Sequence, residues 1–417
     1  MKRLKWLYPG MFIKRWITLT TIGIILIAIG YALVIYENTP QTKIYSAVSI
    51  LIGMFIAITG VRRIIKSFVA VFLPQHEEEL VDKIYQKRIL EKGPKIVVIG
   101  GGTGLATLLH GLKGYTSNIT AIVTVADDGG SSGRLREELN VLPPGDIRNC
   151  IVALADTEPL MEKLFQFRFE GGGHLKGHSF GNLFITAMSK VTGDFQQAVE
   201  ASSKVLAIRG RVIPATLDKV ALRAVHKDGT ETVGESKIPK KESPIKKLYL
   251  NPAGSRPTLE ALEAIKKANV IILGPGSLYT SVMPNLIIDG MFESVKNSKA
   301  AKIYVCNVMT QAGETDNYRA SDHVRAIIEH TGRGIVDCCI VNTARVPGKL
   351  LEKYREEHAR PVEIDDDRLA ELGCRVVKAD IINIKDVVRH DSHKLARIIM
   401  DLASQGRKNN HNGHEKA

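Results

Sequence analysis

Two long runs without a charged residue constrain this 417-residue chain more than any other feature. The first spans Trp16 to Tyr36, 21 residues, and the second spans Ile44 to Val61, 18 residues. About 20 apolar residues bridge the hydrocarbon core of a bilayer, so each run is long enough to cross it as a helix. A signal peptide would have a shorter apolar stretch, a small-residue cleavage site and no second span directly behind it. A soluble helical hairpin is the competing reading, but charge-free runs of this length are rare in soluble cores. Five Lys/Arg precede the first run and three follow the second, while the connection from Glu37 to Lys43 is nearly neutral. The positive-inside rule then predicts a two-span hairpin within residues 1–66, in the cytoplasmic membrane, with both termini and the large domain cytosolic. The acceptor pattern Asn118-Ile119-Thr120 would go unglycosylated there.

The same segment accounts for most of the charge. The chain carries +13, but residues 1–66 hold nine Lys/Arg and one acid, leaving +5 for the remainder. That is too mild for a nucleic-acid footprint, which needs a clustered basic face. Cys150, Cys306, Cys338, Cys339 and Cys374 are odd in number and irregular in spacing, so reduced, buried thiols are expected rather than a disulfide framework.

Beyond the hairpin, residues 67–93 read as a linker with a helical pattern from Glu77 to Lys92, stopped by Gly93-Pro94. From Lys95 short apolar strands alternate with helices: strands at 95–99, 119–126, 270–273, 303–308, 335–342 and 375–380, with helices between them. Those helices include 180–191, 195–206, 259–267 and 286–296. A helix capped by Asp146 is also expected. Val220 to Val233 alternates around Asp228-Gly229, an antiparallel hairpin signal. The pattern predicts an α/β, Rossmann-like, doubly wound, mainly parallel sheet over 94–404 with a small antiparallel insertion. A disordered polar tail is expected over 405–417.

Three loops carry candidate chemistry. Gly100-Gly101-Gly102-Thr103-Gly104 lies between a strand and a helix, where backbone N–H groups and a helix N-terminus suit a phosphate. Residue 105 is Leu, so the dinucleotide fingerprint is incomplete, and no Gly-Lys-Ser/Thr follows to make a Walker loop. Asp127-Asp128 ends the second strand, where an acid meets ribose hydroxyls or a carboxylate pair holds Mg²⁺; Ser131 and Arg134 follow. Gly274-Pro275-Gly276-Ser277, with Thr280 and Ser281, repeats the phosphate-cradle pattern after another strand. The two glycine loops are expected to face one crevice. Arg148 and Asn149 follow Gly145-Asp146, and Asn182 sits in an apolar stretch, as a core amide or a ligand contact. His174 and His178 lack a third ligand, so a solvated loop is expected. No Ser-His-Asp or Cys-His nucleophile stands out.

Several of these segments also carry a resemblance. Val-Val-Ile-Gly-Gly-Gly-Thr-Gly-Leu (97–105), Ala-Asp-Asp-Gly-Gly-Ser-Ser-Gly-Arg-Leu-Arg (126–136) and Pro-Pro-Gly-Asp-Ile-Arg (143–148) look like the YvcK family. So do Gly-His-Ser-Phe-Gly-Asn-Leu (177–183), Gly-Pro-Gly-Ser-Leu-Tyr-Thr-Ser (274–281) and Asn-Val-Met-Thr-Gln-Ala-Gly-Glu-Thr (307–315). This is the gluconeogenesis-factor branch of the CofD-like proteins. The resemblance implies a Rossmann-like fold and binding of UDP-sugars such as UDP-N-acetylglucosamine. It also implies a role in cell shape and wall synthesis on gluconeogenic carbon sources, exerted through protein partners, with self-association allowed. It assigns Arg389 in Val388-Arg-His-Asp391 to UDP-sugar binding, and it sets Ser392 where relatives carry a kinase-modified Thr. Many members are wholly soluble, so the hairpin is a departure. A rival reading, carried by CofD itself, is an Mg²⁺-dependent transferase acting on a nucleotide-diphosphate donor, with the metal on Asp127 and Asp128 and phosphates on Gly276 and Ser277. A third, an NAD-dependent dehydrogenase, is disfavoured by the missing fingerprint glycine.

Overall fold

The computed structural model describes residues 13–36, 39–72, 88–156, 159–171, 173–384 and 387–414, which divide into two compact units, 1–88 and 89–417. The predicted linker helix falls mostly on 73–87, outside the described residues; 88–91 are helical.

The first unit is a pair of packed helices, Ile13–Tyr36 and Pro40–Phe72. Both are long and apolar enough to cross a membrane, with mean hydropathy 2.3 and 2.1 over their spans. The second helix begins at Pro40, so the predicted connection to Lys43 is shorter than its sequence suggests. The reason is local: Thr39 and Thr42 exchange N–H···Oγ bonds, and proline suits a first helical turn. At 33 residues this helix is on the order of 50 Å long, more than a bilayer core needs. The two helices approach through small residues. A methyl on Gly23 would lie 2.6 Å from the Gly53 carbonyl oxygen. Ser46 Oγ donates to Gly30 O at 2.6 Å and Ser49 Oγ to Leu26 O at 2.9 Å. Small residues and interhelical hydrogen bonds of this kind let two helices pack closely without large apolar side chains between them. Arg63 sits 5.2 Å over the Trp16 ring, closing the basic end.

The second unit is built on a seven-stranded sheet. Its strands are β1 (Ile96–Gly100), β2 (Ile119–Val123), β3 (Arg211–Pro214), β7 (Val270–Leu273), β8 (Ala301–Val305), β9 (Cys338–Asn342) and β10 (Arg375–Ala379). Their order is β10-β9-β8-β7-β1-β2-β3, and every pairing is parallel. Parallel strands need crossover helices, which cover both faces; accordingly every residue of β1 and β7 is buried. β3 is not visible in the sequence pattern: it is four residues long and starts with Arg and ends with Pro, which an edge strand tolerates. A three-stranded antiparallel sheet, β4 (Ala221–His226), β5 (Glu231–Val233) and β6 (Ile245–Asn251), forms the insertion around Asp228-Gly229. β11 (Ile382–Ile384) and β12 (Val388–His390) form a short hairpin.

Other boundaries differ from expectation. Residues 286–296 are not one helix: Gly290, at φ +85, separates Met283–Leu286 from Met291–Asn297. Gly130–Leu139 and Ala320–Thr331 are helices that the sequence pattern does not reveal. The last helix, Ser392–His414, carries into the segment whose composition predicts disorder; no proline interrupts it, and propagation adds one hydrogen bond per residue. All five cysteines are buried and unpaired.

Candidate functional site

In the sheet, chain order reverses between β1 and β7: β1 runs on to β2 and β3 on one side, and β7 to β8, β9 and β10 on the other. Crevices form at the carboxyl ends of strands on either side of such a switch. Here the loops after β1 and β7 interlock. A Cβ on Gly104 would lie 2.8 Å from Pro275 O and 3.2 Å from Gly276 Cα, so the loops touch backbone to backbone. Gly102 is different: its φ is +68, and an added Cβ would meet nothing nearer than Ser281 Oγ at 3.6 Å. A cavity of about 750 Å³ opens over these loops, within the range of small-molecule sites.

Gly101, Gly102, Thr103, Gly104, Gly276, Ser277 and Arg389 line this cavity, so the two glycine loops do share one crevice. The helix Gly102–Leu112 starts at it, and its N-cap Gly101 supplies no side-chain cap. Gly274 and Thr280 stand behind the wall. Gly274, at φ +80, precedes a cis peptide to Pro275, and the Thr280 hydroxyl donates to Glu314 Oε1 at 3.0 Å. Tyr279 N–H donates to Glu314 Oε2 at 3.3 Å, so one carboxyl braces the second loop.

The other expected residues form a polar cluster outside the cavity wall. Asp127 Oδ1 accepts from Gly129 N at 2.8 Å, and Asp128 Oδ1 accepts from Ser236 N at 2.8 Å, which ties the strand end to the insertion. Asp146 is not the cap of its helix, as expected from sequence: Pro144 takes that position, and the half-buried Asp146 carboxyl accepts from Gly102 N–H instead. Arg148 Nη1 donates to Ser179 Oγ at 2.5 Å and Nη2 to Asn149 Oδ1 at 2.7 Å. His178 is buried, not solvated, and its Nδ1 lies 3.0 Å from Ser131 Oγ, which also accepts from Asn182 Nδ2 at 3.1 Å. No local pattern signals this Ser–His contact, because 47 residues separate the partners. Asn182 Oδ1 is buried with no partner among the described residues.

Three acids that the sequence does not assign to the site shape its electrostatics. Glu235, on the insertion, and Glu314 line the cavity; Asp146 lies behind Gly101, 2.6 Å from where a Cβ would be. Burial and then the Asp127 charge push Asp146 up to about 7, against the Gly102 N–H and Arg148. Burial, then Asp127 and Asp146, push Glu235 up to about 8. Burial raises Glu314 to about 7, against the bonds from Thr280 and Tyr279. Burial lowers His390, also in the wall, to about 4, so it stays neutral and bonds to Cys306 O at 3.2 Å. Glu314 lies within the 307–315 motif and is legible there as a motif member; Glu235 carries no signal.

These shifts fix a pH dependence. A carboxyl raised in the folded state stabilises the fold below its unfolded pKa, near 4, and that contribution is lost as pH rises through 7–8. His323 and His390, lowered to about 4, act with the opposite sign but only below about 6.5. Between pH 6.5 and 8 the ligand-free unit should therefore lose stability, and Glu235→Gln should remove on the order of 1 kcal/mol of that loss. Urea midpoints at the two pH values, compared for wild type and variant, measure it; an unchanged pH slope in the variant overturns the assignment.

Among the described residues no three His, Cys, Asp or Glu side chains converge on a metal position. The donor set still fits Mg²⁺ of the kind held by one or two carboxylates with phosphate oxygens and water completing its shell. Asp127 and Asp128 each have one oxygen committed to a backbone N–H, and Asp127 acts electrostatically on both Asp146 and Glu235.

The family profile described as "2-phospho-L-lactate transferase CofD" matches residues 96–382. The gluconeogenesis factor of Bacillus subtilis is 51% identical over 75% of this chain and 99% of its own. A Clostridium acetobutylicum relative is 48% identical over 96% of this chain and 92% of its own, and so includes the N-terminal region. A crystal structure of a Bacillus halodurans protein superposes with a TM-score of 0.73 at 51% identity, covering 74% of this chain and 100% of that one. The match over most of the chain, at these identities, extends through both glycine loops and the Asp-Asp segment: the chain belongs to the CofD family, among the gluconeogenesis factors.

Proposed function

We propose that this chain is a membrane-tethered regulatory protein that binds a UDP-sugar, UDP-N-acetylglucosamine or a near relative. In this reading it links gluconeogenic carbon metabolism to cell-wall synthesis and cell shape through protein partners. The observation that carries the reading is the meeting of two glycine loops at the switch point of a parallel sheet, with Arg389 on the same cavity. Backbone N–H groups and one guanidinium suit a diphosphate. A single arginine among several acids suits recognition of a neutral sugar on that diphosphate better than a second phosphate. Calorimetry of the full chain in detergent tests it, with UDP-N-acetylglucosamine, GDP and NAD as ligands. UDP-sugar binding stronger than that of GDP or NAD supports the reading; NAD or GDP binding alone overturns it.

A second reading is favoured by the acids beside the loops. It is an Mg²⁺-dependent transferase acting on a nucleotide-diphosphate donor, where Asp127 and Asp128 would hold the metal that neutralises phosphate charge. Consumption of such a donor that stops on chelation would favour it.

The two long apolar helices support a hairpin with both ends cytosolic. Detergent is then required for extraction, and cysteines placed at residues 2 and 410 should be protected from impermeant reagents outside the cell. Labelling of either from outside overturns the topology.

A further inference from the structure

A second cavity, about 310 Å³, lies beside the first over the ends of β8 and β9. The two share the wall made by Asn307 and Val308. It is too small for a whole nucleotide-sugar and belongs to the low end of the range for small-molecule sites. Its walls are mainly aliphatic, with Val308, Val346 and Leu351 in a satellite apolar cluster separate from the main core. Such a cluster needs no open space for folding, and an apolar void forfeits contacts on its lining.

Its polar side chains are Asn307, Asn342 and Arg345, and the two amides are unequal. Asn342 is committed to the fold: Oδ1 accepts from Ala344 N at 3.2 Å and Nδ2 donates to Ala344 O at 2.9 Å. Asn307 is not. Its Nδ2 donates to Gln311 Oε1 at 3.0 Å, and Gln311 Nε2 donates to Ser277 Oγ at 2.7 Å. Asn307 Oδ1 has no partner among the described residues. One amide thus connects the second cavity to the glycine loop after β7, through a chain of two hydrogen bonds.

We infer that this second cavity receives the pyrimidine base of the bound nucleotide, with Asn307 as its specificity-determining residue. The inference rests on the nucleotide-sugar reading above and deepens it. The phosphates sit at the two glycine loops, so the base and the sugar must extend to opposite sides. The β8–β9 side offers aliphatic walls, which suit a planar ring that is mostly apolar on its faces. The other side offers Glu235 with Asp146 behind Gly101, which suit the hydroxyl donors of a hexose and disfavour a ring carbonyl. A uracil ring presents an N–H donor beside a carbonyl. The Asn307 amide has an unpartnered acceptor oxygen and a second N–H to match it. Gln311 holds that amide against Ser277, so base recognition and phosphate binding share one support.

The test uses the full chain in detergent. With methyl-labelled protein and UDP, the uracil ring protons should show contacts to the methyls of Val308, Val346 and Leu351. Val346→Trp should fill the cavity and weaken UDP binding at least tenfold, leaving pyrophosphate affinity unchanged. Leu351→Phe provides a milder obstruction if the first variant melts early. If wild type binds neither UDP nor UDP-N-acetylglucosamine, the nucleotide-sugar reading itself fails. If wild type binds UDP but its ring protons contact other methyls, or both variants bind UDP normally, the base lies elsewhere and this inference alone is overturned.

Discussion

Gly102→Val is expected to abolish UDP-sugar binding while the fold persists, and Gly104→Val to damage the fold itself. The two glycines are two residues apart in one loop but differ physically. At Gly102 the strain is conformational: φ is +68, and a β-branched residue held there costs about 1–2 kcal/mol. Space is not the limit for the added Cβ, whose nearest neighbour from outside this turn is Ser281 Oγ at 3.6 Å. The valine would then occupy cavity space where a phosphate approaches backbone. At Gly104 the chain is in ordinary helical conformation, but the new Cβ would meet Pro275 O at 2.8 Å. Backbone cannot yield as a side-chain tip does, so the loops would be pushed apart at a cost of about 1–3 kcal/mol. Melting temperature and UDP-sugar titration, measured on both variants, separate the roles. A Gly102→Val protein that binds normally shows that the ligand does not approach this backbone. A Gly104→Val protein with native stability shows that the loops are not interlocked as described.

That contrast marks how far the sequence can be read. The strand–loop–helix setting of Gly100–Gly104 is legible because an apolar run ends in glycines and resumes with helical period. The partner loop at Gly274–Ser277 is legible for the same reason. Which glycine meets backbone and which faces open cavity depends on atoms some 170 residues away, and no local pattern encodes that. Glu235 is illegible for a related cause. It lies in a polar hairpin that reads as surface, and only the fold carries it towards Asp127 and Asp146. The helix Gly130–Leu139 is hidden by its own composition. Two glycines and two serines open it, residues that favour turns, yet Ser131, Ser132 and Gly133 are buried, so tertiary contacts override propensity. The apolar hairpin is plain, but its second helix starts four residues before the apolar run because caps, not hydrophobicity, decide where helices begin.

Arg389→Ala is expected to weaken UDP-sugar binding by about 1.5–3 kcal/mol, the range for hydrogen bonds to charged groups, which is roughly ten- to 150-fold. The melting temperature of the ligand-free protein should barely move. A rival explanation for this arginine is a surface pair with Asp386 or Asp391. Asp386 lies outside the described residues. Asp391 is engaged elsewhere, because its Oδ1 accepts the N–H groups of His393 at 3.0 Å and Lys394 at 2.9 Å, capping the last helix. Arg389 itself has no acidic partner among the described residues, and it stands on β12, opposite Asn383, with its side chain on the cavity wall. Removing it therefore leaves no buried charge unpaired and no ion pair broken, which is why stability should be spared. An exposed cation poised over two phosphate-type loops gains a partner only when an anion arrives. A guanidinium can then grip that anion through two parallel hydrogen bonds. Lysine at this position keeps the charge and loses the fork, so Arg389→Lys should recover only part of the affinity. Full affinity in Arg389→Ala would remove the arginine from the site, whatever the fate of the glycine loops. Equal losses in the Ala and Lys variants would show that the fork geometry, rather than the charge, makes the contact.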